Sequence, residues 1–438
     1  MGFKRKYLSA DGLVEVVRDC LRQEKLEPVT GSEYSWQDCL MSGLALFAFK
    51  CPSLLQFEKM KASEPMIRRN LRTLYHVKKS PSDTCFRERL DQLSHRKMRA
   101  PFKKIFSHLQ RGKALESFRY LEGHYIVSID GTGQYSSKKV RCDNCCERKH
   151  RNGTVSYYHH MLGACIVHPD KKSVIPLAPE PITKEDGRNK NDCERNASKR
   201  LLQDLRREHP HLKMLIVEDG LASNYPHLSL IDSLNMDYIV GAKPGDHSYL
   251  FDWIKDMPPQ TLIKTDEKGS RHELKYYTNV PLNDAHHDYR VNVIDHTEIQ
   301  ASGKQQHFSW VTNLSINDDN VYRLMRAARS RWRIENETFN TLKNQGYHFE
   351  HNFGHGKKNL CSVMTMLMLL AFLIDQVQAL CCKHYVKAQK HVGAFKLLFQ
   401  TLCSLIRFAV WEGFEQLLVF VGNPNERSPP DGCHWMTS

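Results

Sequence analysis

Three acidic residues stand out by type and setting: Asp130 in "SIDGT", Asp219 in "VEDGL" and Glu335 in "RWRIENETF". Both aspartates close a β-branched apolar run and precede a glycine. Phosphoryl transfer by a two-metal route needs about three carboxylates converging on a pair of divalent ions about 4 Å apart. One ion activates the attacking oxygen and the other steadies the leaving oxygen. Hard oxygen ligands select Mg²⁺ or Mn²⁺. An Asp-Gly after a strand is also an ordinary turn. Two of them on one sheet, followed by a helix carrying arginines and glutamates, favour the metal-binding reading.

The stretch from Arg329 to Gly356, "RSRWRIENETFNTLKNQGYHFEHNFGHG", supplies the third acid. Glu335 is preferred to Glu337 because it lies one helical turn from Arg331. Glu337 has Arg333 one turn earlier and reads as an exposed i,i+4 pair worth a few tenths of a kcal/mol. Arg331, Arg333 and Lys343 are candidates for gripping phosphates. On a straight α-helix Lys343 falls about 80° from the Glu335 stripe. Trp332 reads as a core residue or as a platform for an unpaired base. His348, His351 and His355 read as polar contacts to nucleic acid or to the core rather than as a metal-binding trio.

"RCDNCCERKH" raises a separate question. Cys142 and Cys145 have the spacing of a zinc knuckle, but no second Cys-x2-Cys pair follows. Cys193 or His159 could complete a structural zinc site; a plain basic loop is the preferred reading. "KNDCERNASKR" brings Asp192 or Glu194 near the carboxylates, or simply starts a helix.

The positioning elements follow from periodicity. Residues 1 to about 115 read as helical, with apolar positions three and four apart in "VEVVRDCLRQ", "SWQDCLMSGLALFAFK" and "MIRRNLRTLYHV". A helix-turn-helix pair near 65–93 is weakly signalled. The pattern then changes to strands, "HYIVSIDGTG", "TVSYYHHMLGACIVH" and "SVIPLAPEPI". A helix, the strand "LKMLIVEDG", a second helix and the strand "MDYIVGAKPG" come next. Three antiparallel strands followed by βαβ units predict an α/β, ribonuclease-H-like sheet. Both aspartates lie at strand ends, where ligands collect in open α/β sheets. Residues about 246–316 alternate as a β-rich insertion, and helices resume from "DDNVYRLM" almost to the end. The final residues, "NPNERSPPDGCHWMTS", read as a loose tail.

The charge points to a polyanionic partner. The chain has 438 residues and a formal net charge of +14, which favours nucleic acid. Residues 51–120 carry 17 basic and 6 acidic side chains on helical segments, so double-stranded DNA is expected to bind there. No apolar core follows the basic N-terminal residues, and fourteen cysteines without a secretory signal read as reduced thiols. A cytoplasmic protein is therefore expected. "LCSVMTMLMLLAFLID" reads as a buried core helix and not a membrane span.

Taken in order, "SIDGT", "IVEDG" and "RWRIE" resemble the three acidic motifs of DDE transposases of bacterial insertion sequences. The last is similar to the Tyr-x2-Arg-x3-Glu-x6-Lys signature of a group whose β-rich insertion lies before the Glu. Arg331 and Glu335 fit it. Ala328 stands at the Tyr position and Leu342 at the Lys position, with Lys343 one residue later. The resemblance covers roughly residues 120–375. It implies a metal-binding triad of Asp130, Asp219 and Glu335, cleavage at element ends, and strand transfer into target DNA. It also implies a homodimer on paired terminal inverted repeats. Trp310, in "HFSWVTNL", is similar to a Trp that this group uses to hold an extruded base, although core packing is its favoured fate. The organisation expected is a basic helical region at 1–118 that binds DNA, a catalytic domain at 119–375 and a helical region with tail at 376–438. A nuclease that only hydrolyses, and a silent DNA-binding derivative, are the alternatives.

Overall fold

In a computed structural model of the chain, residues 3–24, 26, 33–184, 193–423 and 434–435 are described. Asp192 and most of the tail after Asn423 lie outside them. Six helices come first: α1 (Ala10–Gln23), α2 (Trp36–Ala48), α3 (Leu54–Ser63), α4 (Pro65–Tyr75), α5 (Asp83–Gln92) and α6 (Arg99–Arg111). Four start at serine caps. The hydroxyls of Ser9, Ser35, Ser53 and Ser82 accept from the backbone N–H three residues on, satisfying a donor that the helix itself cannot. The long connection 76–82 between α4 and α5 is unlike the three- or four-residue turn of a helix-turn-helix.

Twelve strands then build one sheet. They are β1 (Arg119–Tyr120), β2 (His124–Ser137), β3 (Cys146–Lys149), β4 (Val155–His168), β5 (Lys171–Pro176), β6 (Glu180–Ile182), β7 (Met214–Glu218), β8 (Asp237–Gly241), β9 (Gln260–Thr265), β10 (Arg271–Pro281), β11 (Arg290–Ile299) and β12 (Gln305–Thr312). The main path runs β3-β4-β2-β7-β8-β12-β11-β10-β9, with β1 on β2 and both β5 and β6 on β4. β2, β7 and β8 are parallel, and β4 is antiparallel to β2. Parallel neighbours need crossovers. α7 (Glu194–Glu208) and α8 (Tyr225–Ser233) provide them. This is the ribonuclease-H-like core that the strand order predicts. The β-rich insertion is part of the same sheet, because β12 pairs with the edge of β8. α9 (Ser248–Lys255) precedes it.

After the sheet come α10 (Val321–Arg329), a 3₁₀ turn at Ser330–Trp332, a π-helical segment at Ile334–Phe339, and α11 (Asn340–Asn344). α12 (Leu360–Cys381) follows, then α13 (Lys383–Val392), α14 (Phe395–Phe408) and α15 (Phe414–Gly422). A two-residue ladder, β13 (Ala409–Val410) with β14 (His434–Trp435), closes the chain. α12 is long and apolar enough to cross a membrane, yet it is buried inside the fold, packed on α2, α5, α6 and β5.

The regions on either side of the sheet interlock. Lys50 after α2 forms a buried ion pair with Asp375 of α12 at 2.6 Å. Asn70 of α4 donates to the carbonyls of Ile406 and Ala409 at 2.7 and 2.6 Å, and accepts from Trp411 N–H at 2.9 Å. Asp11 of α1 accepts from the first N–H groups of α15. Helices from before and after the sheet therefore pack on one another and on α12. Hydrophobic periodicity locates the helices but carries no information about which sequence-distant helix covers each apolar face.

Candidate active site

β2 and β7 run side by side in parallel, with Ser128 opposite Val217. Continuing that register by two residues sets Asp130 level with Asp219. Both line one cavity, together with Glu194, Glu218, Asn224 and His227. Asp219 follows the carboxyl end of β7, but Asp130 lies within β2 just past its pairing with β7, because β2 runs on to Ser137 against β4 and does not end at the acid as expected. Parallel pairing is what brings two distant Asp-Gly pairs to one acidic pocket.

The third acid arrives on the helical segment that crosses β2. Ser128 donates its hydroxyl hydrogen to the carbonyl of Arg331 at 2.9 Å, fixing the crossing point. Arg331 Nη1 then lies 3.0 Å from Asp130 Oδ2 and 2.8 Å from Glu335 Oε1. Asp130 and Glu335 thus share one guanidinium, and the nearby Glu335 helps to raise the Asp130 carboxyl. Glu337 is paired with Arg333 at 3.7 Å, and Arg333 is largely buried and donates to the carbonyl of Pro169 at 2.6 Å. Of the two glutamates, it is Glu335 that reaches Asp130.

Each aspartate has one oxygen occupied by backbone. Asp130 Oδ1 accepts from Gly131 N–H at 2.9 Å, and Asp219 Oδ1 from Leu221 N–H at 3.0 Å. The other oxygen of each is left for side chains or ligands. Burial pushes the Asp130 carboxyl up to about 7; Arg331 opposes this and Glu335 reinforces it. Next to Asp219, Glu218 accepts from Ser198 Oγ at 3.4 Å and lies 2.5 Å from His227 Nε2. That partnership holds the end of β7 in place.

Glu194, the first residue of α7, belongs to this group. Burial first, then the charges of Asp219 and Glu218, raises its carboxyl above the usual range. A Cβ at position 131 would sit 2.3 Å from Glu194 Oε1, so only glycine lets this carboxylate approach β2. Asp192 lies outside the described residues. A helix-start reading is natural for Glu194, and nothing local in the sequence distinguishes a capping acid from a pocket acid.

The donor set suits hard divalent cations. Asp130, Asp219, Glu194 and Glu218 line the cavity with Arg195 among them, and Glu335 joins Asp130 through Arg331. Such crowding raises carboxyl pKa values unless a cation compensates. Oxygen-only ligation fits Mg²⁺ or Mn²⁺.

The remaining residues singled out by sequence are spread around this centre. Trp332 is exposed, with Arg333 over its ring at 5.1 Å, so it is not a core residue. Trp310 is buried and stacked on Phe308 at 5.8 Å, over which Arg329 sits at 4.2 Å. Lys343 pairs with Glu350 at 3.0 Å. His348 and His351 stay in their own loop, whereas His355 joins Cys142, Cys145 and His159. Cys193 is exposed and is not part of that cluster. On the helical body, Arg68, Arg72, Lys78 and Lys79 line a cleft of about 410 Å³ between α3 and α4.

A family model described as "Transposase DDE domain" matches residues 122–373. The span includes Asp130, Asp219, Glu335 and the β-rich insertion. No curated protein matches the chain. Among solved structures, the NurA nuclease from Sulfolobus solfataricus is similar at 12% identity and a TM-score of 0.23, over 47% of this chain and 73% of that one.

Proposed function

The chain belongs to the transposase DDE-domain family, and from that premise we propose that it cuts DNA at the ends of a mobile element and joins them to target DNA. The observation that carries this reading is the meeting of Asp130 and Asp219 on adjacent parallel strands, with Glu335 tied to Asp130 through Arg331. When bound, two divalent ions would supply Lewis acidity at the attacking and leaving oxygens of an in-line displacement. Asp130, Asp219 and Glu335 would hold them, and Glu194 would add a fourth carboxylate from α7. Arg331, which pairs with Asp130 and Glu335, is the guanidinium placed to take the phosphate being cut. Arg333 anchors the helical segment through Pro169. Trp332 offers an exposed ring to an unpaired base beside the cut.

Double-stranded DNA is gripped through phosphates by the basic helical body, including the Arg68–Lys79 cleft, and the chain works as a dimer on paired ends. Residues 1–118 are the DNA-binding part, within a body that folds together with α12 to α15.

Asp130→Ala, Asp219→Ala and Glu335→Ala should each abolish cleavage of element-end DNA while binding persists, since binding rests on phosphate contacts elsewhere. Glu337→Ala should cut nearly normally. Mg²⁺ or Mn²⁺ should support the reaction, and Ca²⁺ should support assembly with poor chemistry because its coordination is looser. Near-wild-type cutting by any triad variant removes that residue from the site. Cut ends that never become joined to target DNA would leave a nuclease instead of a transposase.

A further inference from the structure

Cys142 and Cys145 lie in the connection between β2 and β3, His159 on β4, and His355 in the loop leading to α12. Their ligand atoms all lie within 4.8 Å of one another. Cys142 Sγ is 3.5 Å from Cys145 Sγ and 3.2 Å from His159 Nε2. Cys145 Sγ is 3.4 Å from His159 Nε2 and 3.2 Å from His355 Nε2. Zinc–sulfur bonds of about 2.3 Å and zinc–nitrogen bonds of about 2.0 Å at tetrahedral angles place ligand atoms about 3.3–3.8 Å apart. Four of the six separations, 3.2–3.5 Å, lie in or just below that range and all six are within 4.8 Å, close to a tetrahedral Cys₂His₂ shell, with three of the four residues buried.

The surroundings fit such a shell. The backbone N–H of Cys142 points to Cys145 Sγ at 3.2 Å, a donor that steadies a thiolate. Asn352 Oδ1 lies 3.4 Å from His355 Nδ1, leaving Nε2 facing the sulfurs. His355 stands between Gly354 and Gly356, at φ +126° and +59°, so the loop bends into the cluster through conformations that favour glycine. Further contacts bring the two segments together: Asp143 N–H donates to the Lys357 carbonyl at 2.9 Å, and Asn144 Nδ2 to that of Lys358 at 2.8 Å.

We infer that Cys142, Cys145, His159 and His355 form a structural zinc site, distinct from the carboxylate centre, that fastens the β2–β3 connection and β4 to the loop between the Glu335 helix and α12. Thiolate and imidazole ligands select zinc over magnesium. All four positions are filled by protein, so the ion has no open place for substrate and its role is architectural. The site shares no ligand with the Asp130 centre, and does not depend on the transposase reading.

The test uses the full chain, purified without a polyhistidine tag from zinc-supplemented cells. Elemental analysis should give about one zinc per chain, retained through dialysis against EDTA. Cys142→Ser with Cys145→Ser, and separately His355→Ala, should lose it, while Asp130→Ala with Glu335→Ala should keep it. Protein produced with cobalt should show thiolate-to-cobalt charge-transfer absorption, a readout that needs no variant to fold. Removing the metal with a chelator and a mercurial should lower the melting temperature, and zinc should restore it. Substoichiometric zinc in the wild type, a Cys142–Cys145 disulfide in freshly purified protein, zinc persisting in His355→Ala, or cobalt bound without thiolate absorption would each overturn the assignment.

Discussion

Replacing Asp130 by asparagine asks whether the site stores unfavourable charge when no cation compensates it. Burial lifts the Asp130 carboxyl from its ordinary 3.8 to about 7, with Arg331 pulling down and Glu335 pushing up. Each tenfold change in proton affinity corresponds to about 1.4 kcal/mol. Keeping this carboxylate ionised therefore costs the fold up to about 4 kcal/mol, reduced to about 1–3 kcal/mol where water reaches the group. The folded pKa lies above the unfolded one, so the folded state holds the proton more tightly. The cost is nearly absent below about pH 4, grows as pH rises towards 7, and is constant above that. Asparagine cannot ionise and escapes it. Asp130→Asn should therefore gain stability over wild type between about pH 5 and pH 8 by about 1–3 kcal/mol. Urea unfolding of both proteins in EDTA at the two pH values measures the difference, since all other titrating groups are common to the pair. Adding Mg²⁺ at the higher pH should narrow the gap by stabilising only the wild type. A gap that is the same at both pH values, or an asparagine variant that is the weaker at pH 8, would refute the reasoning.

Three further outcomes are expected. Gly131→Ala forces Glu194 aside, because the new Cβ would lie 2.3 Å from its Oε1; cleavage should fall about a hundredfold with little change in melting temperature, and unimpaired cleavage would take Glu194 out of the site. Lys50→Met strands Asp375 in the core beside Tyr347 and should cost about 3–5 kcal/mol in chemical denaturation, partly recovered by adding Asp375→Asn; a loss below about 1 kcal/mol would mean the pair is effectively solvated. Arg72→Glu with Lys78→Glu should weaken DNA binding by the full chain and flatten its salt dependence, since two phosphate contacts become repulsions; an unchanged salt slope would move recognition away from this cleft.

What the sequence made legible tracks how local each signal is. Asp130 and Asp219 were readable because a strand, an acid and a glycine are contiguous, and the order of strands and helices then dictates parallel neighbours. The choice of Glu335 over Glu337 rested on one-turn spacing to Arg331, and the same spacing appears in the structure as the 2.8 Å pair. Nothing in the residues around Glu194 marks it as a pocket acid, because its approach to β2 depends on the missing side chain of Gly131, which is remote in sequence. Trp332 shows the limit of residue-type averages: a tryptophan on an arginine-rich helix can be core or surface, and here it is exposed. The Cys/His cluster was half legible. Cys142, Cys145 and His159 lie close together, but His355 is 210 residues from Cys145 and no spacing rule spans that gap. The insertion was recognisable by alternation, yet its pairing with β8, which makes it an extension of the sheet, leaves no mark in its own residues.

The π-helical segment at Ile334–Phe339 bears on how this helix compares with the Tyr-x2-Arg-x3-Glu-x6-Lys pattern that its sequence resembles. The signature sets six residues between Glu and Lys, and this chain has seven between Glu335 and Lys343. A single π turn is the way a helix accommodates one inserted residue: the surplus is absorbed as a bulge and the ridge beyond it keeps its phase. Counted without the surplus, Lys343 returns to within about 20° of the Glu335 stripe, in place of the 80° of a straight α-helix. Excising Asn336 should convert the segment to regular α-helix and restore the six-residue spacing, with Arg331, Glu335 and Lys343 all retained. Such a shortened chain would separate what the acid's presence contributes from what the wide turn beneath it contributes.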